Sequence, residues 1–109
     1  MATAIETGPV HEDAPDLTTD VERQRYAAIS RALADPKRLC VLEILSSGER
    51  SVGDLSREAS CHVPNMSQHL AVLRSAGLVT SRREGSTVFY RLTDPRILEA
   101  YESIKSVAR

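Results

Sequence analysis

Aromatic residues are scarce: the 109-residue sequence has no tryptophan, one phenylalanine and three tyrosines. A surface that stacks unpaired bases needs several rings, so single-stranded nucleic acid is disfavoured as a ligand. Cysteine is scarce too. Cys40 and Cys61 are too few for a disulfide framework, and a reducing compartment keeps them as thiols. No apolar run approaches the roughly 18 residues of a membrane span. Residues 1–16, MATAIETGPVHEDAPD, lack both the basic start and the apolar core of a signal peptide, which points to a cytoplasmic protein. No glycine-rich phosphate loop occurs, and no cofactor is expected. What remains, 41% hydrophobic and 27% charged, suits one compact domain that is small for an enzyme enclosing its substrate.

The net charge of -1 conceals an asymmetry. Residues 1–20 hold five acids (Glu6, Glu12, Asp13, Asp16, Asp20) and no Lys or Arg, so residues 21–109 carry 14 bases against 10 acids, a net of +4. Between residues 60 and 92, Arg74, Arg82, Arg83 and Arg91 face one acid, Glu84. Such a local basic field suits phosphate binding.

Residues 1–16, with Gly8, Pro9 and Pro15 and no apolar period, read as a disordered acidic tail; residues 17–109 read as the folded domain. Leu17, Val21, Ala28, Ile29, Ala32 and Leu33 recur at helical spacing over 17–34. Asp35-Pro36 supplies an N-cap and a first helical proline for a second helix to about Ser47, with Leu39, Leu42, Ile44 and Leu45 as its apolar side and Gly48 as its stop. Ser51 and Asp54 read as a capping box for a short third helix to about Ala59. A fourth covers about Val63–Ala76 and ends at Gly77. The period then shifts to two. Residues 79–84 and 86–92 flank Gly85 as a hairpin, and Asp94-Pro95 starts a fifth helix striped by Ile97, Leu98, Tyr101, Ile104 and Val107. The fold expected is mainly α: a winged helix-turn-helix of about five helices with a two-stranded β-hairpin wing. The apolar stripes of the first and last helices exceed what one small core hides, which implies a homodimer through them.

On the fourth helix, 100° per residue puts Val63, Met66, Leu70 and Leu73 on a core side. Pro64, Asn65, Ser67, Gln68 and small Ala71 take the other. Asn and Gln suit the adenine edge in the major groove, and Ser suits bases or phosphate. His69 and Arg74 flank this stripe as candidates for the DNA backbone. Arg82 and Arg83 stand at the hairpin tip, where alternation sends one toward a groove and the other toward phosphate. Each feature alone fits an ordinary solvated surface; a polar helix face followed at once by a basic hairpin points to double-stranded DNA. A catalytic reading fails, because Ser67 and His69 lie two apart and do not face each other on a helix.

The runs Arg31-Ala-Leu-Ala-Asp-Pro-Lys-Arg-Leu39, Ser51-Val-Gly-Asp-Leu55, Met66-Ser-Gln-His-Leu70, Leu73-Arg-Ser-Ala-Gly-Leu-Val79 and Arg83-Glu-Gly-Ser-Thr-Val-Phe-Tyr90 occur in this order. Together, over about residues 22–108, they resemble the ArsR/SmtB family of small dimeric winged-helix repressors. The resemblance implies an operator-binding homodimer that releases DNA when an inducer, often a metal ion, binds. The inducer sites depart from the family pattern. A Cys-Val-Cys-Asp-Leu metal run in the third helix is matched here by Ser51-Val52-Gly53-Asp54-Leu55, without its thiolates. An Asp-X-His pair of the last helix is matched by Asp94-Pro95-Arg96, which places a cation where a ligand would stand. Neither familiar metal site survives, and no metal is expected at them. Thiol-sensing members pair a cysteine of the second helix with one of the last helix, which has none here.

Cys61 and Cys40 remain as candidate sensing thiols. Cys61 precedes the fourth helix, where a helix N-terminus favours a thiolate, with His62 as a weak cap or phosphate contact; Cys40 lies in an apolar stretch that suits an inert thiol. His11 belongs to the tail. The expected function is a homodimeric repressor on double-stranded operator DNA, released by an inducer the sequence leaves unidentified. The alternatives are a thiol-gated or inducer-independent repressor, and a winged-helix interaction module without operator binding.

Overall fold

A computed structural model describes residues 16–109, so the expected tail lies, apart from Asp16, outside the described residues. The elements run α1 (Asp20–Leu33), α2 (Pro36–Leu45), β1 (Arg50–Ser51), α3 (Val52–Glu58), α4 (Val63–Ser75), β2 (Val79–Glu84), β3 (Thr87–Leu92) and α5 (Arg96–Ala108).

Local chemistry sets most of these boundaries. Thr19 and Glu22 close a capping box: the Thr19 hydroxyl accepts from the Glu22 amide at 3.1 Å and the Glu22 carboxylate from the Thr19 amide at 2.7 Å. Helix α1 therefore starts at Asp20 rather than 17, and Leu17 stands outside it, 88% exposed. Asp35 caps α2, accepting from the Arg38 amide at 3.0 Å, with Pro36 at its first position. Ser51 caps α3, accepting from the Asp54 amide at 3.1 Å; the Asp54 carboxylate turns to Arg57, so only half of the expected box forms. Helix α5 begins one residue later than the Asp-Pro pattern suggested, with Asp94 Oδ1 accepting from the Arg96 amide at 2.9 Å.

The expected two-stranded hairpin is a three-stranded antiparallel sheet ordered β1-β3-β2. β1 contributes two residues, paired Arg50 with Tyr90 and Ser51 with Phe89. β2 and β3 pair from Val79 with Leu92 to Glu84 with Thr87, and Gly85 turns the hairpin at a left-handed φ of 63°.

The core lies where α2, α3, α4 and the sheet meet, and Val41, Leu42, Leu55, Met66, Leu70 and Leu73 are its largest fully buried side chains. Two expectations change. Val41 joins Leu42 and Leu45 as the buried residues of α2, with Ile44 half-buried against them and Leu39 half-buried, and Val63, read as core-facing, is 50% exposed because it sits in the first turn of α4, beyond the packed surface. Helix α5 buries no residue fully: Ile97, Leu98 and Tyr101 lean on the domain, while Ile104 and Val107 are 47% and 86% exposed. Its last turn is tied to α2 by Lys105, whose ammonium lies 3.4 Å from Glu43 and 4.7 Å above the Tyr101 ring. Burial, then the Glu43 carboxylate, raise the Tyr101 phenol above its ordinary pKa. No described helix is long and apolar enough to cross a membrane.

Candidate nucleic-acid interface

Helices α3 and α4 are joined by a turn at Ala59–His62. Ser60 takes a left-handed φ of 52°, uncommon for a residue with a Cβ, and the Cys61 amide donates to Ser56 O at 2.8 Å. The Lys37 ammonium reaches in from α2 to donate to the carbonyls of Ala59 and Ser60, which fixes the turn from outside. His62 is the N-cap of α4 and makes no side-chain cap bond, so the amides of that first turn remain without a side-chain acceptor.

Helix α4 divides as its wheel predicts in the middle turns. Met66, Leu70 and Leu73 are buried; Asn65, Ser67, Gln68, Ala71 and Arg74 are exposed on the opposite surface. His69 behaves differently from the expected backbone contact. Its side chain is 21% exposed, with Nδ1 3.7 Å from Asp35 Oδ2 and 3.4 Å from Arg38 Nη1. Arg38 in turn donates through Nε to Ala32 O at 2.7 Å and through Nη2 to Arg31 O at 3.1 Å. One polar node thus ties the end of α1 and the start of α2 to the exposed helix α4, and His69 is turned inward by it.

The Arg38 amide, with the charges of His69 and Arg38 behind it and burial opposing, holds the Asp35 carboxyl below the usual aspartate range. A depressed folded pKa means that the ionised cap stabilises above about pH 4 and that this contribution disappears as pH falls through the folded value. Asp35→Ala is therefore expected to cost about 1 kcal/mol at pH 7, measured by chemical denaturation, and the gap to the parent should narrow below about pH 4. A gap independent of pH would show that the lost capping charge is not its cause.

The two arginines of the hairpin are sorted by the pleat. Arg83 shares a sheet face with Val79, Tyr90 and Leu92, the last two packed against the core, so it extends the side that carries the helices. It is exposed and makes no ion pair among the described residues. Arg82 lies on the outer face and is engaged: Nε and Nη2 grip Glu49 at 2.9 and 2.7 Å, and Nη1 reaches Glu84 at 3.2 Å. This pairing holds Glu49 below the ordinary glutamate pKa and raises that of Arg82. Sequence reading missed the Arg82–Glu49 pair and the Arg38–His69 contact, because partners 33 and 31 residues apart carry no local signal.

Cys40 and Cys61 are both half-buried against the core, and the Cys61 thiol donates to His62 O at 3.6 Å. Among the described residues no three His, Cys, Asp or Glu side chains gather as a metal site.

Residues 35–81 match the model for bacterial regulatory proteins of the arsR family. The chain is 38% identical over 81 residues to the biofilm growth-associated repressor of Agrobacterium fabrum, covering 74% of this chain and 69% of that protein. It is 40% identical over 86 residues to the HTH-type transcriptional regulator KmtR of Mycobacterium tuberculosis, covering 79% and 66%. Among solved structures it is similar to a homodimeric winged helix-turn-helix DNA-binding domain of Mycobacterium bovis, with a TM-score of 0.74 and 30% identity over 84% of this chain and 87% of that one.

Proposed function

The chain belongs to the ArsR family of bacterial regulatory proteins, and from that membership we propose that it is a homodimeric, sequence-specific repressor on double-stranded operator DNA, with residues 17–109 as the working domain. The observation that carries this reading is the division of α4: a fully buried apolar side opposite an exposed Asn65, Ser67, Gln68 and Ala71. Asn65, Ser67 and Gln68 read base edges in the major groove, and small Ala71 admits close approach. Arg74 and Arg83, exposed and without ion pairs among the described residues, meet phosphates on either side. His69 and Arg82, expected as further phosphate contacts, serve the protein instead, the first as an anchor of α4 and the second as part of the outer sheet face. A chromosomal target sets the protein in the cytoplasm.

Catalysis is no part of this function. The His69 ring, two residues along from the exposed Ser67, is held by Asp35 and Arg38.

Salt dependence tests the reading. Each phosphate neutralised by a cation adds about 0.9 to the slope of log K against log salt on duplex DNA. Arg83→Ala is expected to flatten that slope by about this amount on operator and random duplexes alike, whereas Asn65→Ala should act mainly on the operator. An unchanged slope would remove Arg83 from the phosphate contacts.

A further inference from the structure

Five charged or aromatic side chains share the outer sheet face: Arg82, Glu84, Phe89, Arg91 and, from the loop just before β1, Glu49. The register puts Arg82, Phe89 and Ser51 side by side; on the same face Glu84 lies two residues toward the hairpin tip, and Arg91 and Glu49 lie two residues the other way. The Arg82 guanidinium lies 4.6 Å over the Phe89 ring, spans strand β3 and ends on both oxygens of Glu49, a residue of another loop. Planar stacking and a two-pronged carboxylate grip are the strongest arrangements available to an arginine at a surface. The Arg82 side chain is nonetheless about half exposed. Ion pairs so exposed add little to folding stability, so this one's main consequence lies in what Arg82 is prevented from touching.

We infer that Glu49 is a specificity-determining residue of the wing, which keeps the Arg82 cation off DNA phosphates and so restrains sequence-independent binding. The inference rests on the reading that the wing meets DNA. Binding to random sequence is almost wholly electrostatic, whereas operator binding adds base contacts from α4. Masking one wing arginine therefore lowers random binding in proportion and leaves base reading untouched. Arg83, on the opposite face, stays available.

The test is Glu49→Gln, which keeps the side chain's size and an oxygen that can accept from Arg82 while removing the charge. Binding to a random-sequence duplex, followed across a salt series, is expected to tighten about threefold to tenfold at low salt and to gain about 0.9 in slope. In an Arg82→Ala background the same change should lose its slope increment. Weaker random-DNA binding by Glu49→Gln would make the Arg82–Glu49 contact a brace that binding needs, and would overturn the inference. No change, beside a flattened slope for Arg83→Ala, would overturn the masking and leave the wing contact standing. No change in either variant would overturn both.

Discussion

Asp in place of both Ile104 and Val107 is expected to leave each chain folded and to split the dimer. Within one chain these side chains, with Ser103 and Ala108, line a groove of about 340 Å³ that is almost wholly apolar, and no described residue covers it. Burying a Val or Ile side chain contributes about 1.5–3 kcal/mol, and two-fold symmetry uses each position twice. A carboxylate there reverses the sign at four places in the assembly at once. Sedimentation should give monomer at concentrations where the parent is dimer, with helix content unchanged. Operator affinity should fall about 100-fold or more, since a monomer engages one half-site and loses the effective concentration of the second. A doubly substituted protein that still sediments as dimer would place the interface elsewhere.

Leu70→Ala is expected to damage folding severely. Leu70 is fully buried on the side of α4 that meets the core, beside Met66 and Leu73. Truncating a leucine so enclosed costs about 2–5 kcal/mol, against a total of about 5–15 kcal/mol for a domain of this size. Thermal melting should drop by on the order of 10 °C or more. Gln68→Ala, two residues away on the exposed side, should stay within about 0.5 kcal/mol of the parent. The pair separates the two sides of one helix: the first change acts through stability, the second through DNA alone. A loss below about 1 kcal/mol for Leu70→Ala would mean that α4 is not held by this core.

Much of the fold is written in local signals. Asp35-Pro36 and Ser51 start α2 and α3 as their capping chemistry requires, and Gly85 turns the hairpin. The change of apolar period after Gly77 marks where helix gives way to sheet. Strand β1 was illegible because two residues cannot display an alternation, and its existence depends on β3 offering Phe89 and Tyr90 as partners. The exposure of Val63 was illegible for a similar reason: a helical wheel describes a face but not where along its length the packed surface ends.

The candidate site was legible by face and not by partner. Asn65, Ser67, Gln68 and Arg74 lie exposed as periodicity indicated. Arg82 and His69 look like free backbone contacts in the sequence, yet Glu49 and Asp35, far away along the chain, hold them. Only the three-dimensional pairing separates Arg83 from its neighbour. The thiols Cys40 and Cys61 form no disulfide and join no metal-ligating cluster among the described residues, so the inducer stays without an assigned site.

Selection of duplexes from a random-sequence pool by the intact protein tests dimer, recognition helix and DNA reading together. The expected product is a two-fold symmetric sequence whose half-sites lie about 10–10.5 base pairs apart centre to centre, or a multiple of that, relaxed at specific positions in Gln68→Ala. Failure to enrich any sequence at low salt, or enrichment of one unpaired asymmetric site, would contradict a dimeric operator-binding repressor; the first outcome would favour a winged-helix interaction module instead.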